Sequence, residues 1–172
     1  IDYDLGMAFA NLLWTSGLRL REAGSLLVLE LPDVDGAAQY LRSRVADDVA
    51  KGRGRDFWMA ATARHELEAY IVSTRAAAVA KARSKGRYEN VQSRLVIVGQ
   101  DRANLRVRDA RNTVTTVNPN HLGWRDRLNL FSETEAGLEP AMVFLAGSGM
   151  PIEYETWETI FTTANARCAK LG

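Results

Sequence analysis

Arg19, Arg21 and Glu22 stand directly behind a Ser16-Gly17 break in an apolar run, and Leu26, Leu27, Val28 and Leu29 follow at once. Charges at a tight bend between two apolar segments must be paired, solvated at a cleft, or kept for an anionic ligand. A guanidinium in such a place can fork onto two oxygens of a phosphate or carboxylate. A second cluster, Lys51-Gly-Arg53-Gly-Arg55-Asp56, is a Gly-spaced basic turn. A run of that kind is usually an ordinary solvated turn, and Arg19 with Glu22 has the spacing of a surface i, i+3 pair worth about 0.3 kcal/mol. No pair of Cys or His has metal-ligand spacing. His65 and His121 read as surface or capping residues. The five tyrosines, Tyr3, Tyr40, Tyr70, Tyr88 and Tyr154, read as structural or surface.

The chain is long enough, at 172 residues, for one domain with a real core. It is 47% apolar and 25% charged, a globular rather than a disordered composition. Lys and Arg number 22 against 21 Asp and Glu, so bulk charge makes no case for nucleic acid and only local clustering could. The single cysteine, Cys168, excludes an intrachain disulfide and suits a reducing, cytoplasmic setting. No apolar stretch approaches a membrane span, and no signal-peptide pattern opens the chain. It begins Ile-Asp-Tyr-Asp without Met, as a fragment would.

Elements that could position the two clusters are legible. Asp4 can cap a helix to about Trp14, with Leu5, Phe9, Leu12 and Leu13 on one face and Gly17 as its C-terminal glycine. A short helix is expected from Leu20, carrying Ala23, Leu26 and Leu27; on its wheel Arg21 would point about 200° away from Arg19. Residues 39 to 50 alternate as strands do, and Phe57-Trp58-Met59 reads as a returning strand, which makes a hairpin with a cationic tip. Thr62 opens a long helix ending at Gly86, with Leu67, Tyr70 and Ile71 facing the core. The basic residues at its end, Lys81, Arg83, Lys85 and Arg87, suit the helix dipole. Residues 94–99 and 112–117 have strand composition, but 88–130 as a whole reads as irregular with some strand, a possible insertion. Residues 138–152 read as a short strand and a Gly turn. A last helix over about 155–171 would place Trp157, Ile160, Phe161, Ala164, Cys168 and Leu171 on one stripe.

The ordered set of bend, hairpin and long helix resembles the start of the catalytic domain of tyrosine recombinases, the phage-integrase family of site-specific DNA recombinases. That family has Thr-Gly-Leu-Arg with Glu three residues on; here Ser16-Gly17-Leu18-Arg19 and Glu22 stand in those places. It then has a hairpin with a Gly-Lys-Gly-like turn, matched by Ala50-Lys51-Gly52. Residues 143–172 look like the strand, turn and helix that precede its His-x-x-Arg motif. That motif is absent: Glu66, Leu67 and Glu68 follow His65, and Leu122, Gly123 and Trp124 separate His121 from Arg125. The family's tyrosine nucleophile lies beyond it.

The resemblance implies an α+β fold, mainly helical, with a small antiparallel β-sheet on one side. It implies residues 1–172 as one domain, the front portion of a catalytic domain that cuts and rejoins DNA through a 3′-phosphotyrosine. Arg19 would clamp the phosphate, Lys51 would be the general acid, and Glu22 would orient its neighbours and offset the positive cluster. Arg53 and Arg55 would meet DNA phosphates. No metal and no cofactor is implied. The partners would be double-stranded DNA and, for the full-length parent, other copies on DNA, with no membrane. The setting would be cytoplasmic and nucleoid-associated, in a bacterium or encoded by a phage. Without its nucleophile the chain is expected to be inactive by itself. The alternatives are a non-catalytic DNA-binding module of the same ancestry and a helical interaction domain whose motif match is accidental.

Overall fold

The computed structural model describes residues 2–34 and 36–171. Two helices come first, α1 (Tyr3–Ser16) and α2 (Leu20–Gly24), then a hairpin of β1 (Tyr40–Val45) and β2 (Arg55–Ala60). A long helix follows in three parts: α3 (Ala61–Tyr70), a π turn (Ile71–Arg75) and α4 (Ala76–Arg83). Next come β3 (Leu95–Asp101), β4 (Asn104–Arg108), β5 (Val114–Val117), α5 (Trp124–Arg127), β6 (Leu130–Thr134) and β7 (Gly137–Pro140). The last helix is α6 (Tyr154–Leu171).

Local chemistry explains most of these limits. The Asp2 side chain, rather than Asp4, caps α1 by accepting from the Asp4 N–H at 3.0 Å. Gly17 ends that helix at φ 63°, as its sequence position implied. The long helix stops at Arg83, and Gly86 turns the chain away at φ 59° while the Arg87 N–H closes onto the Ala82 carbonyl at 3.1 Å. The α2 helix is shorter than the sequence suggests: Leu26 and Leu27 lie beyond it but are buried all the same.

The hairpin runs in register from Tyr40 opposite Ala60 to Val45 opposite Arg55. Leu41, Val45, Phe57 and Met59 point inward and pack on Phe9 and Leu12 of α1 and Ala63 and Leu67 of α3. The α6 helix closes this core with one residue above all. Trp157 stacks on Phe9 at 3.6 Å and meets Phe144 edge-on at 5.8 Å. Ile160 and Phe161 are half-buried beside it, but Ala164 and Cys168 are exposed, so the expected apolar stripe is covered only at its first half.

The larger departure is in 88–130. It is not irregular: it supplies most of a mixed five-stranded sheet of order β5-β4-β3-β6-β7. The α+β class stands, but there are two sheets, and β3 with β6 is a parallel pair. One face of the second sheet covers Leu27, Leu122 and Met142, and the other packs Val96 and Phe131 against Val79 and Ala82 of α4. Short strands with both faces partly buried do not alternate cleanly, and a register shift between Ile97 and Gly99 breaks the period further.

Arginines fasten this sheet to the helical core. Arg127, 1% exposed, holds Glu30 through both nitrogens at 2.7 and 2.8 Å and donates to the carbonyls of Ser25, Pro119 and Leu122. Arg75, buried in the π turn, reaches the carbonyls of Pro140 and Met142. Arg127→Ala should therefore cost about 3–5 kcal/mol, because it strands Glu30 and three carbonyls. The melting temperature should fall by on the order of 10 °C. A thermal melt within about 2 °C of wild type would mean that the sheet is held mainly by its apolar contacts.

Candidate functional site

Glu22 lies at the centre of the bend and is 2% exposed. Its Oε2 accepts from the Arg19 backbone N–H at 2.8 Å, which starts α2. From β2, Arg55 grips both oxygens, Nη1 to Oε1 at 2.6 Å and Nη2 to Oε2 at 2.9 Å. The Arg19 guanidinium stands further off, at 3.4 Å from Oε1. Burial alone would push the carboxyl up; the Arg55 hydrogen bonds, the Arg19 N–H and both positive charges outweigh it and hold the group below its usual 4.5.

A cleft of about 450 Å³ opens beside this carboxylate. It is lined by Arg19, Arg21, Val49, Ala50 and Lys51 and, from α6, by Tyr154 and Glu158. Arg19 has a side chain 74% exposed and, among the described residues, only the long contact to Glu22. Lys51 is exposed at the hairpin tip and, among the described residues, has no ion pair. Two exposed cations and the exposed Glu158 therefore share one hollow with a buried carboxylate that Arg55 already pairs. Such a place can take a phosphate or another small oxyanion.

The hairpin tip is a fixed structure. Lys51 adopts φ 58° and Gly52 φ 81°. The Asp47 carbonyl accepts from the Gly52 N–H at 2.7 Å, and the Asp47 carboxylate accepts from the Gly54 N–H at 3.0 Å. A Cβ on Gly54 would fall 2.1 Å from that carboxylate, so only glycine fits.

Arg19, Glu22 and Lys51 are thus brought together. Arg53 is exposed and does not line the cleft. Arg55 spends its fork on Glu22. Arg21 does not point away from Arg19, as a helical wheel would have it. Arg19 is the N-cap of α2, in an extended conformation at ψ 154°, so the wheel does not apply across the two residues. Arg21 lines the cleft and donates to the Val49 carbonyl at 2.8 Å, two residues before Lys51. Tyr154 and Glu158 were not expected here, and nothing in their local sequence marks them. The basic end of the long helix is partly structural: Arg83 donates to the carbonyls of Leu138 at 2.7 Å and Gly137 at 3.0 Å. Among the described residues no group of His, Cys, Asp or Glu is placed to hold a metal ion, and no helix is long and apolar enough to cross a membrane.

No protein-family model matches this chain. No curated protein matches it, and no solved structure does.

Two outcomes follow from the geometry. Glu22 has a lowered folded-state pKa, so its ionisation stabilises the fold fully above the unfolded value of about 4.5 and ceases to do so as pH falls through the folded value. Glu22→Gln should cost about 1.5–3 kcal/mol at pH 7. Denaturant melts should show the gap to wild type closing on the acid side of that window; a gap constant down to pH 3 would mean the charge is immaterial. Arg21→Ala should raise amide hydrogen exchange at Ala50 and Gly52, whose N–H groups bond within the turn, with little change in global melting. Unchanged exchange there would show that Asp47 alone holds the tip.

Proposed function

We propose that this chain carries the phosphate-binding and proton-donating part of a DNA strand-cleaving and rejoining site of the tyrosine-recombinase kind. One observation carries the reading. Arg19 of the Gly-Leu-Arg-x-x-Glu stretch and Lys51 of the hairpin tip are 32 residues apart in sequence, yet they line the same cleft over the same locked carboxylate. The resemblance assigns each of them a role at one phosphodiester, and the cleft gives both a common target.

In that role Arg19 forks onto the non-bridging oxygens, where negative charge builds in the transition state. Arginine suits this better than lysine because its planar fork stays charged and meets two oxygens at once. Lys51 gives a proton to the 5′ oxygen as it leaves, so no alkoxide forms. Arg53, exposed on the same turn, pairs with a flanking phosphate. Glu22 and Arg55 do not touch the DNA; they set the backbone from which Arg19 projects. The attacking tyrosine and the His-x-x-Arg pair are not assigned to any residue of this sequence.

The test is cleavage by a longer chain that carries the nucleophile, on two substrates. One is an ordinary phosphodiester; the other has sulfur in place of the bridging 5′ oxygen, and a thiolate leaves without a proton. Lys51→Ala should fail on the first substrate and recover on the second. Arg19→Lys should lose about 100-fold to 1,000-fold on both. A Lys51→Ala enzyme that sulfur does not rescue, or a silent Arg19→Lys, would remove these roles. Complete failure of this chain to bind duplex DNA at low salt would point to a helical interaction domain instead.

A further inference from the structure

The connection between β5 and β6 reaches the cleft. The Asp48 N–H donates to the Asn120 carbonyl at 3.1 Å, which ties this connection to the turn that carries Lys51. At its other end the Trp124 ring meets Tyr154 edge-on at 5.0 Å, and Tyr154 lines the cleft. The second sheet therefore lays a segment, 118–125, along one margin of the cationic hollow.

That segment carries two exposed donors. The Arg125 guanidinium lies over the Trp124 ring at 4.7 Å. Among the described residues it has no ion pair, although Asp126 is its neighbour. The Asp126 carboxylate instead accepts from the Gly123 N–H at 3.0 Å. His121, with a side chain 66% exposed, approaches Asp48 only to 4.0 Å, too far for a hydrogen bond. Stacking on Trp124 extends the Arg125 side chain along the surface and leaves its N–H edge open.

We propose that segment 118–125 is the second bank of one duplex-DNA surface. On it Arg125 pairs with a backbone phosphate and His121 donates to another, beside the phosphate held by Arg19 and Lys51. This rests on the reading of the cleft as a phosphodiester site. Duplex DNA is the occupant because its phosphates continue on both sides of any one diester, so a clamp on one of them presents its neighbours to the flanking surface. Three carboxylates stand near this margin: Asp48 leans toward His121, Asp126 accepts from the Gly123 N–H, and Glu158 lines the cleft with Tyr154.

The measurement is the affinity of this chain for a labelled duplex across a salt series, wild type against variants at exposed positions. Arg125→Ala should lower the slope of log K against log salt by about 0.9. Between about 50 and 200 mM salt its affinity should then drop roughly three- to four-fold less than that of wild type. Arg125→Glu should bind more weakly still at low salt, and adding His121→Ala to Arg125→Ala should weaken binding further. Arg106→Ala is the comparison. Arg106 lies on β4 between the inward-facing Leu105 and Val107, so it projects from the face turned away from Leu122 and this segment, and its slope should match wild type. If both Arg125 variants match wild type while Lys51→Ala reduces affinity, the second bank is wrong and the cleft reading stands. An Arg106→Ala slope as low as that of Arg125→Ala would mean diffuse binding and would also overturn the second bank. Wild-type binding that is absent or independent of salt would remove the cleft reading and the second bank together.

Discussion

A carboxylate taken out of water must be paired, or it will protonate or unfold the protein. Glu22 is that carboxylate here, and much of the architecture around the cleft follows from satisfying it. Its partners come from both sides of the cleft floor: the Arg19 N–H from the bend and the Arg55 fork from β2. The pairing fixes how the hairpin stands against α2. It also fixes where the tip that β2 leaves behind must lie. Lys51 reaches the cleft because Arg55, four residues on, is held there.

The arginines show how far one residue type divides its labour in a single chain. Arg127 and Arg75 are buried among carbonyls and join the second sheet to the helical core. Arg83 does the same at the edge, on Leu138 and Gly137. Arg55, itself half-exposed, pairs with the buried Glu22, and Arg21 braces the turn below Lys51. Arg19, Arg53 and Arg125 are among the exposed ones. A guanidinium suits all these tasks because its five donors can satisfy several carbonyls at once when buried, while its charge stays available when exposed.

This division also sets what the sequence could disclose. Gly17, the hairpin and the long helix were legible because each is a local signal: a left-handed cap, a two-residue period, a 3.6-residue period. The Arg19–Glu22–Lys51 grouping was legible only through the order of its motifs. The roles of Arg55 and Arg21 were not, since they depend on partners 33 and 28 residues away. The second sheet was missed for a related reason. Its strands run from four to seven residues, and β3 finds one neighbour in the nearby β4 and the other across more than thirty residues, in β6. Ala164 and Cys168 show the opposite error: an apolar period continued past the point where the core ends.

The distances around Glu22 explain how a carboxylate could stand beside the proposed oxyanion site without disabling it. A free carboxylate would repel a phosphate and compete with it for Arg19. Here Arg55 occupies both oxygens at 2.6 and 2.9 Å, so the strongest bonds Glu22 can offer a guanidinium are taken. Arg19 keeps a backbone bond to Glu22 at 2.8 Å but only a 3.4 Å contact through its side chain. Its backbone is anchored while its fork stays outside, 74% exposed. Counting the charges that line the hollow, Arg55 offsets Glu22, and Arg19, Arg21 and Lys51 stand against Glu158, so the lining stays positive. The Glu22–Arg55 pair thus settles position, and the exposed cations are left free for the proposed anion.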